Sequence, residues 1–336
     1  MKTAVLYGPR DLRLEEHPLD TTRLEAHQVH VDTCITAFKI GTDRGNFEGA
    51  EPVPGAPDYP RWVGDSNLGI VRAVGSAVTR FRAGDRVVSR RPHQSEYLAR
   101  DDELLVHVPD EVTDEDAVFA HLYTLSAHCY RKAFFTPGEN VAVVGLGVLG
   151  IGAVALGPLF GARVVGIGNS PVRQEMARRM GAHACLASND PELTSRLHVF
   201  TDGVGIDLVI LTANPWPAWR TAMDIVRENG RVAVVALPGR GEAPLDFNPV
   251  AMEWFYNKGI ALIAVSRSGG YLFPTPEPRF DGQRACRHTL SLMADGLLEP
   301  KRAITHRLPY QRMGEAYEMA LRRDKNMLNV VFSWRE

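Results

Sequence analysis

The chain has 336 residues, of which 45% are hydrophobic and 23% are charged, as expected for a packed globular protein of about two domains. Its formal net charge of -2 gives no electrostatic reason to expect a nucleic acid or an anionic membrane as a partner. It has no apolar run of the ~18–20 residues that a membrane span needs, and no signal-peptide pattern follows Met1, so we expect a cytoplasmic protein.

The cysteines are too widely spaced to suggest a shared structural role. They are Cys34, Cys129, Cys185 and Cys286. Without a CxxC pair, the pattern indicates neither a disulfide framework nor a structural zinc lobe. We expect buried free thiols.

Short runs of strand-forming residues fill roughly the first 120 residues and predict a β-rich domain. Examples are Val29–Val31, Gly69–Val74 and Arg86–Val88, with glycine, proline and aspartate between them. The residues from Gly45 to Pro60 combine proline, glycine and acidic side chains and predict a surface loop.

The periodicity changes near Asp114, where the pattern predicts a helix, Asp114–Arg131, with Thr113 or Asp114 as its N-cap. Apolar strands then alternate with helices, which is typical of a parallel sheet covered on both faces. The predicted strands are Asn140–Val144, Arg163–Ile167, Asp207–Leu211, Arg231–Ala236 and Gly259–Val265, and the predicted helices are Leu149–Phe160, Pro171–Met180 and Trp216–Glu228. The glycines expected at helix ends are Gly161, Gly181 and Gly230. The fold class is therefore α/β, with a doubly wound parallel sheet.

The last part of the chain is expected to return to the first domain. Its predicted elements are a proline-rich loop, Phe273–Pro278, the helices Gln283–Ala294 and Gln311–Arg323, and the strand Leu328–Phe332. We therefore expect a discontinuous β-rich domain of residues 1–121 and 267–336, and a nucleotide-binding domain of residues 122–266.

The stretch Gly145-Leu146-Gly147-Val148-Leu149-Gly150 matches the GxGxxG pattern of dinucleotide-binding proteins in its required strand–turn–helix context. Gly145 allows the tight turn, Gly147 lets backbone N–H groups approach a pyrophosphate, and Gly150 allows close packing of helix on strand. The amino end of the helix then offers unpaired N–H groups to the phosphates. Thr212 and Leu237, which follow predicted strands, complete the candidate cofactor-binding residues of this domain.

The end of the second strand distinguishes between the two nicotinamide dinucleotides. An NAD site usually has an acidic residue about 20 residues after the glycines, which accepts a hydrogen bond from the ribose 2′-hydroxyl. This chain has Gly168, Asn169 and Ser170 there, with Arg173 one helical turn further. Because these residues can accommodate and pair with a 2′-phosphate, the sequence predicts NADP(H) as the cofactor.

Taken together, several stretches resemble the medium-chain dehydrogenase/reductase superfamily, the alcohol-dehydrogenase-like proteins. The stretches are residues 64–75, residues 81–87, the glycine turn with its following strand, and residues 304–309. Residues 31–34 and 41–43 most resemble a branch that often lacks the zinc ligands and includes bacteriochlorophyllide dehydrogenases. The resemblance implies a GroES-like catalytic domain, a Rossmann domain, a small-molecule substrate in the cleft between them, and a homodimer paired through Gly259–Val265.

The chain departs from the zinc-binding members in its ligand residues, and at most Asp65 and His121 remain as possible donors. Those members have Cys where this chain has Ile40, and His then Glu where it has Asp65 and Ser66; their third ligand position falls at His121. Catalytic zinc normally takes three protein ligands, so we expect no metal.

Without zinc, a hydrogen-bond donor or general acid must stabilise the charge that develops on the acceptor atom. The resemblance places Lys39, Asp65, His121 and Tyr123 where they could take this role, and Thr124 where it could contact the cofactor's carboxamide. The predicted activity is hydride transfer to or from a C=O or C=N carbon. Two alternatives stay open: reduction of an activated C=C bond, as in quinone and enoyl reductases, and a catalytically silent NADPH-binding structural or regulatory protein.

Overall fold

The computed structural model describes residues 1–52, 57–265 and 281–335. The chain divides into two compact units, of which the first holds residues 1–124 and 281–335 and the second holds residues 125–265. Within the described ranges, no helix is both long enough and apolar enough to cross a membrane.

The strands and helices are numbered in chain order. The strands are β1 (Lys2–Leu6), β2 (Leu12–Glu16), β3 (Gln28–Phe38), β4 (Arg61–Trp62), β5 (Asn67–Val74), β6 (Arg86–Ser89), β7 (Glu96–Arg100), β8 (Leu105–His107), β9 (Asn140–Val144), β10 (Arg163–Ile167), β11 (Ala184–Leu186), β12 (Ile206–Leu211), β13 (Val226–Val234), β14 (Ala261–Ala264), β15 (Ile304–Pro309) and β16 (Asn329–Ser333). The helices are α1 (Ile40–Glu48), α2 (Asp114–Ala117), α3 (Ala120–Lys132), α4 (Val148–Leu159), α5 (Pro171–Arg179), α6 (Leu193–Phe200), α7 (Trp216–Ile225), α8 (Gly282–Ala294) and α9 (Met313–Leu321), with short 3₁₀ segments at Pro300–Ala303 and Tyr310–Arg312.

The first unit is β-rich, as the spacing of short strands predicts. One sheet has the order β2-β1-β4, and a larger sheet has the order β15-β16-β3-β5-β6-β8, with β7 also paired to β3. β3 is the central strand because it pairs with β5, β7 and β16 along its length. Valines and other apolar side chains of β3, β5 and β6 form one core cluster of this unit.

The second unit contains a parallel sheet with the order β11-β10-β9-β12-β13-β14. Numbered within the unit, this order is 3-2-1-4-5-6, the doubly wound arrangement. The central strands β9 and β12 are buried at every position, which explains their continuous apolar sequence. The predicted fold class is therefore confirmed.

The predicted loop from Gly45 to Pro60 is wrong at its start, because Ile40–Glu48 forms helix α1. The helix ends at Gly49, whose left-handed backbone (φ 82°) lets its N–H bond back to the carbonyls of the last turn. Tertiary packing explains the error: the Phe47 ring lies 5.2 Å from that of Tyr317 on α9 and belongs to a buried aromatic cluster.

The predicted helix Trp216–Glu228 ends early, at Ile225, and Gly230 lies inside strand β13 rather than at a helix end. The pairing of β13 with β12 is irregular here, passing from Ile206↔Val226 to Leu208↔Arg231. A Cβ atom on Gly230 would approach the Val226 side chain to 2.6 Å, so close packing within the strand accounts for the glycine.

The other predicted elements differ from the structure in smaller ways. The helix predicted from Asp114 is split into α2 and α3, and Thr113 is confirmed as the N-cap because its side chain accepts a hydrogen bond from the Asp116 N–H. The pattern missed β11 and α6 altogether. The predicted loop Phe273–Pro278 lies outside the described residues.

Candidate functional site

The glycine turn of the second unit is built so that two of its glycines have no room for a side chain. Gly145 has a φ of 101°, and its N–H donates to the Ile167 carbonyl at 2.9 Å, which ties the turn to β10. A Cβ atom on Gly150 would lie 1.8 Å from the Gly145 carbonyl oxygen. These two glycines let α4 begin directly against the end of β9.

Gly147 differs from its neighbours because a Cβ atom there would meet nothing within 4 Å. It is the N-cap residue of α4, and no side chain forms a capping hydrogen bond at this helix end. The backbone N–H groups of Val148, Leu149 and Gly150 form the first turn of the helix and face outward at its positive end. The turn can therefore bind an anionic group through backbone N–H groups at the start of α4.

Thr212 and Leu237 lie at the carboxyl ends of β12 and β13, and both serve the local architecture. The Thr212 hydroxyl donates to the Gly145 carbonyl at 2.7 Å and so braces the glycine turn. The Leu237 N–H donates to the Asn214 side chain at 3.0 Å.

The end of β10 has no acidic side chain in the first three positions after the strand. Gly168 contacts the Leu146 side chain, and its carbonyl accepts a hydrogen bond from the Gln174 amide at 2.6 Å. Ser170 is the N-cap of α5, where its hydroxyl accepts from the Arg173 N–H, and the Asn169 side-chain oxygen accepts from Ser188. The Asn169 amide and the Ser170 hydroxyl are groups of the kind that can donate to a phosphate.

A second group of polar side chains lies in the first unit, where α1 begins. The Lys39 ammonium nitrogen lies 3.5 Å from a carboxylate oxygen of Asp65, and the two side chains are 15% and 26% exposed. The Asp43 carboxylate, 2% exposed, accepts a hydrogen bond from the Lys39 backbone N–H at 2.9 Å. We call Lys39, Asp43 and Asp65 the acid cluster.

The surroundings of Asp43 raise the pKa of its carboxyl group. Burial, and then the nearby charge of Asp65, raises the pKa of Asp43 to about 7. Hydrogen bonds from the backbone N–H groups of Lys39 and Gly64 act in the opposite direction but do not restore the ordinary value. Asp43 thus exchanges a proton near neutral pH.

His93 packs against Gly64, the residue before Asp65. A Cβ atom on Gly64 would lie 2.6 Å from the imidazole ring. The ring is fully buried, its Nδ1 lies 2.8 Å from the Thr36 hydroxyl, and burial lowers its pKa to about 3. His93 is therefore neutral beside the acid cluster.

The remaining candidate residues of the first unit lie in buried surroundings. His121 is 6% exposed on α3. The Tyr123 side chain is fully buried and its hydroxyl faces Asn329, while the Thr124 hydroxyl donates to the Ala120 carbonyl and lies 2.9 Å from that of Thr289. These contacts favour structural roles for Tyr123 and Thr124.

The positions that correspond to zinc ligands by resemblance hold a different set of groups. Ile40 has no donor atom, and the Ser66 hydroxyl donates to the Val118 carbonyl. At Asp65 the Lys39 ammonium already balances the carboxylate.

Another His and carboxylate group, His30, Asp32 and Glu96, lies on β3 and β7 with its ligand atoms within 4.8 Å of one another. Asp32 and Glu96 are direct cross-strand partners, and Arg72 bonds Asp32 while His30 bonds Glu96 at 2.9 Å. The Arg72 guanidinium offsets the repulsion between the opposed carboxylates.

Known proteins resemble this chain both in sequence and in fold. The family model for "Zinc-binding dehydrogenase" matches residues 148–271. Sorbitol dehydrogenase of Bacillus subtilis is 23% identical over 98% of this chain and 96% of its own length. The chain is thus similar to zinc-type, alcohol-dehydrogenase-like enzymes over nearly its whole length.

Solved structures agree on the fold. Galactitol-1-phosphate dehydrogenase from Escherichia coli has a TM-score of 0.82 at 18% identity, covering 99% of this chain and 100% of that one. A putative zinc-binding dehydrogenase from Sinorhizobium meliloti, bound to NADP, has a TM-score of 0.77 at 18% identity, covering 99% and 98%.

Reasoning from the sequence missed two residues that the structure brings to the acid cluster. Asp43 was visible as the last residue of the Gly41-Thr42-Asp43 triplet, but nothing in the pattern reveals its burial. His93 lies 28 residues beyond Asp65 in the chain, and no local motif connects them.

Proposed function

We propose that the protein is a zinc-independent, NADP(H)-dependent oxidoreductase that transfers hydride to or from a C=O or C=N carbon of a small molecule. The observation that carries the proposal is the bare glycine turn: Gly147 faces open space at the uncapped start of α4, directly after the first strand of a doubly wound sheet. Similarity over nearly the whole chain to proteins named as dehydrogenases supports the same conclusion.

The residues after β10 support a preference for the phosphorylated dinucleotide. Gly168 adds no bulk or charge where a 2′-phosphate would lie, Asn169 and Ser170 can donate to it, and Arg173 follows in the first turn of α5. A hydrogen bond to a charged group contributes about 1.5–3 kcal/mol. Such a contribution corresponds to roughly a tenfold or greater difference in affinity.

The donors at the ligand positions do not fit a catalytic zinc. Three protein ligands are the usual minimum, whereas Ile40 has no donor atom and Lys39 places a positive charge beside Asp65. We therefore derive no step through a metal.

The bound dinucleotide supplies the hydride, and the protein's own residues handle the accompanying proton. The Lys39 ammonium is the proposed proton donor to the substrate oxygen or nitrogen, and Asp65 holds it in position through their ion pair. His121, which is 6% exposed on α3, is the second candidate donor. A general acid of this kind contributes about 10²–10⁴-fold in rate.

Titration with the two cofactors tests the cofactor assignment. NADPH is expected to bind at least about tenfold more tightly than NADH, and Arg173→Ala to remove most of that difference. Arg179→Ala is the matched control, since Arg179 lies two turns along the same helix and pairs with Glu175 at 3.1 Å. Equal affinities of the wild-type protein for NADPH and NADH would contradict the assignment.

A turnover assay tests the chemistry. Polyols and their ketones come first, because relatives are named for sorbitol and galactitol 1-phosphate, followed by cyclic imines and enones. We expect turnover with a carbonyl or imine, less than one zinc per chain by elemental analysis, and no loss of activity with chelators. Lys39→Ala should lower kcat by about 10²-fold with little change in NADPH affinity.

Other outcomes of the same assay favour the competing functions. Turnover of enones alone would indicate a C=C reductase, and tight NADPH binding without any turnover would indicate a silent binding protein. A full complement of zinc that is needed for activity would overturn zinc independence.

We also propose a homodimer paired through β14. Within the described residues this strand is the last of its sheet, and Ala261–Ala264 are only partly buried, so its outer edge can pair with the same strand of a second copy. Light scattering that gives the mass of one chain would contradict the dimer.

A further inference from the structure

Ser188 follows β11, the strand that neighbours β10 in the sheet of the second unit. The two strands are parallel, and their register pairs residues 165–167 with residues 184–186, a constant offset of 19 residues. The same offset brings Ser188 opposite Asn169, two residues beyond the last pair. The sheet register therefore places the chain after β11 beside the end of β10, where the candidate residues for a 2′-phosphate lie.

Two donors of Ser188 converge on one atom of Asn169. The Ser188 backbone N–H donates to Asn169 Oδ1 at 3.0 Å, and the Ser188 hydroxyl donates to the same oxygen at 2.7 Å. A backbone N–H can only donate, so the atom that faces it must be the amide oxygen and not the amide nitrogen. These contacts fix which end of the planar Asn169 amide points toward Ser188.

The amide nitrogen of Asn169 is consequently directed away from Ser188. Oxygen and nitrogen are the two arms of one planar group, and they cannot exchange places without loss of both hydrogen bonds. Asn169 is exposed, and among the residues that the structure describes no group accepts a hydrogen bond from its nitrogen. The nitrogen is therefore a donor at the end of β10 that a bound anion can use.

The helix that follows Asn169 does not need its side chain. Ser170 is the N-cap of α5, and its hydroxyl accepts from the Arg173 N–H. The Gly168 carbonyl accepts from the Gln174 side-chain amide at 2.6 Å. Within the described part of the chain, the Asn169 side chain bonds only to Ser188, so its orientation is set from the neighbouring strand and not by helix capping.

We propose that Ser188 is a positioning residue for cofactor selectivity, because it holds Asn169 Oδ1 and so presents the Asn169 amide N–H groups to the 2′-phosphate of NADP(H). The proposal depends on the cofactor assignment made above. An amide turned the other way would present its oxygen, which accepts from the 2′-hydroxyl of NAD(H) and repels a phosphate. The orientation of the amide, and not only its presence, then determines which dinucleotide the end of β10 favours.

The test is the ratio of the Kd for NADH to the Kd for NADPH in Ser188→Ala, which loses the hydroxyl and keeps the backbone N–H. We expect the Kd for NADPH to rise roughly threefold to tenfold, the value of one hydrogen bond, and the Kd for NADH to change by about twofold or less. Ser188→Thr keeps a hydroxyl and should restore the ratio. Ser195→Ala is the matched control, since the Ser195 hydroxyl also donates to an oxygen, the Glu192 carbonyl at 2.9 Å, but belongs to α6.

A double-mutant cycle shows whether Ser188 acts through Asn169. Asn169→Ala should lower the ratio by itself, and adding Ser188→Ala to it should cause no further change. The same loss from Ser188→Ala with and without the Asn169 side chain would overturn the positioning role.

Asn169→Asp gives a second measurement that does not require a change at Ser188. The two Ser188 donors can hold a carboxylate oxygen as they hold the amide oxygen, and the outward arm becomes an oxygen that repels the 2′-phosphate. The preference should therefore reverse in favour of NADH, and a retained preference for NADPH would overturn the proposal.

The outcomes separate this proposal from the cofactor assignment. A wild-type preference for NADPH that is unchanged in Ser188→Ala would overturn the positioning role and leave the assignment intact. Equal wild-type affinities for NADPH and NADH would overturn both.

Discussion

Replacing Asp43 by Asn should make the folded protein respond differently to pH, independently of any activity. Burial raises the pKa of Asp43 from 3.8 to about 7, so the folded state binds a proton that the unfolded state releases. This contribution to stability is fully present below pH 3.8 and is lost as the pH rises through about 7. Each pH unit between those values changes the free energy of unfolding by about 1.36 kcal/mol.

Over an accessible range the effect is large enough to measure. From pH 8 to pH 5, Asp43 should add about 2.5 kcal/mol to the free energy of unfolding of the wild-type protein, and Asn in its place should add nothing. All other titrating groups are common to both proteins. The difference between wild type and variant therefore isolates Asp43.

Urea unfolding at pH 5, 6, 7 and 8 measures this difference. As the pH falls below 7, the free energy of unfolding of the wild type should increase steadily relative to that of Asp43→Asn. Above pH 8, the two free energies should change with pH in the same way. Parallel curves from pH 5 to 8 would refute the reasoning, because they would mean that the Asp43 carboxyl ionises alike in the folded and unfolded chains.

Two further predictions concern the glycine turn and His93. Gly147→Ala should keep the free energy of unfolding within about 1 kcal/mol but weaken NADPH binding by about tenfold or more, since the new methyl group enters only the open space beside the helix start. Gly150→Ala should lower stability by roughly 1–3 kcal/mol or more, because its Cβ atom would overlap the Gly145 carbonyl; equal stabilities of the two variants, from urea unfolding, would contradict this assignment. Burial lowers the pKa of His93 to about 3. The contribution of its neutral ring to the free energy of unfolding is therefore fully present above pH 6.5 and is lost as the pH falls toward 3. From pH 6 to pH 4, the free energy of unfolding of the wild type should fall by about 2.5 kcal/mol more than that of His93→Gln. An equal fall in both proteins would refute the burial of a neutral ring.

The glycine turn and the doubly wound sheet could be predicted from the sequence, because both depend on residues close together in the chain. The run from Asn140 to Gly150 holds the strand, the turn and the start of the helix, and each glycine there meets a local backbone requirement. Alternating apolar strands and helices then specify a parallel sheet by their lengths and order. The same local reasoning failed at α1, whose stability comes from Phe47 packing on a helix about 270 residues away in the chain.

Only the tertiary structure determined the acid cluster and its electrostatics. Lys39 and Asp65 were both candidates on the sequence, but their ion pair and the proton on Asp43 depend on which side chains the fold removes from water. A pKa reflects burial and charges gathered from distant parts of the chain, whereas a sequence pattern records only neighbours along it. The residue types were therefore readable from the sequence, and their chemistry was decided by the packing around them.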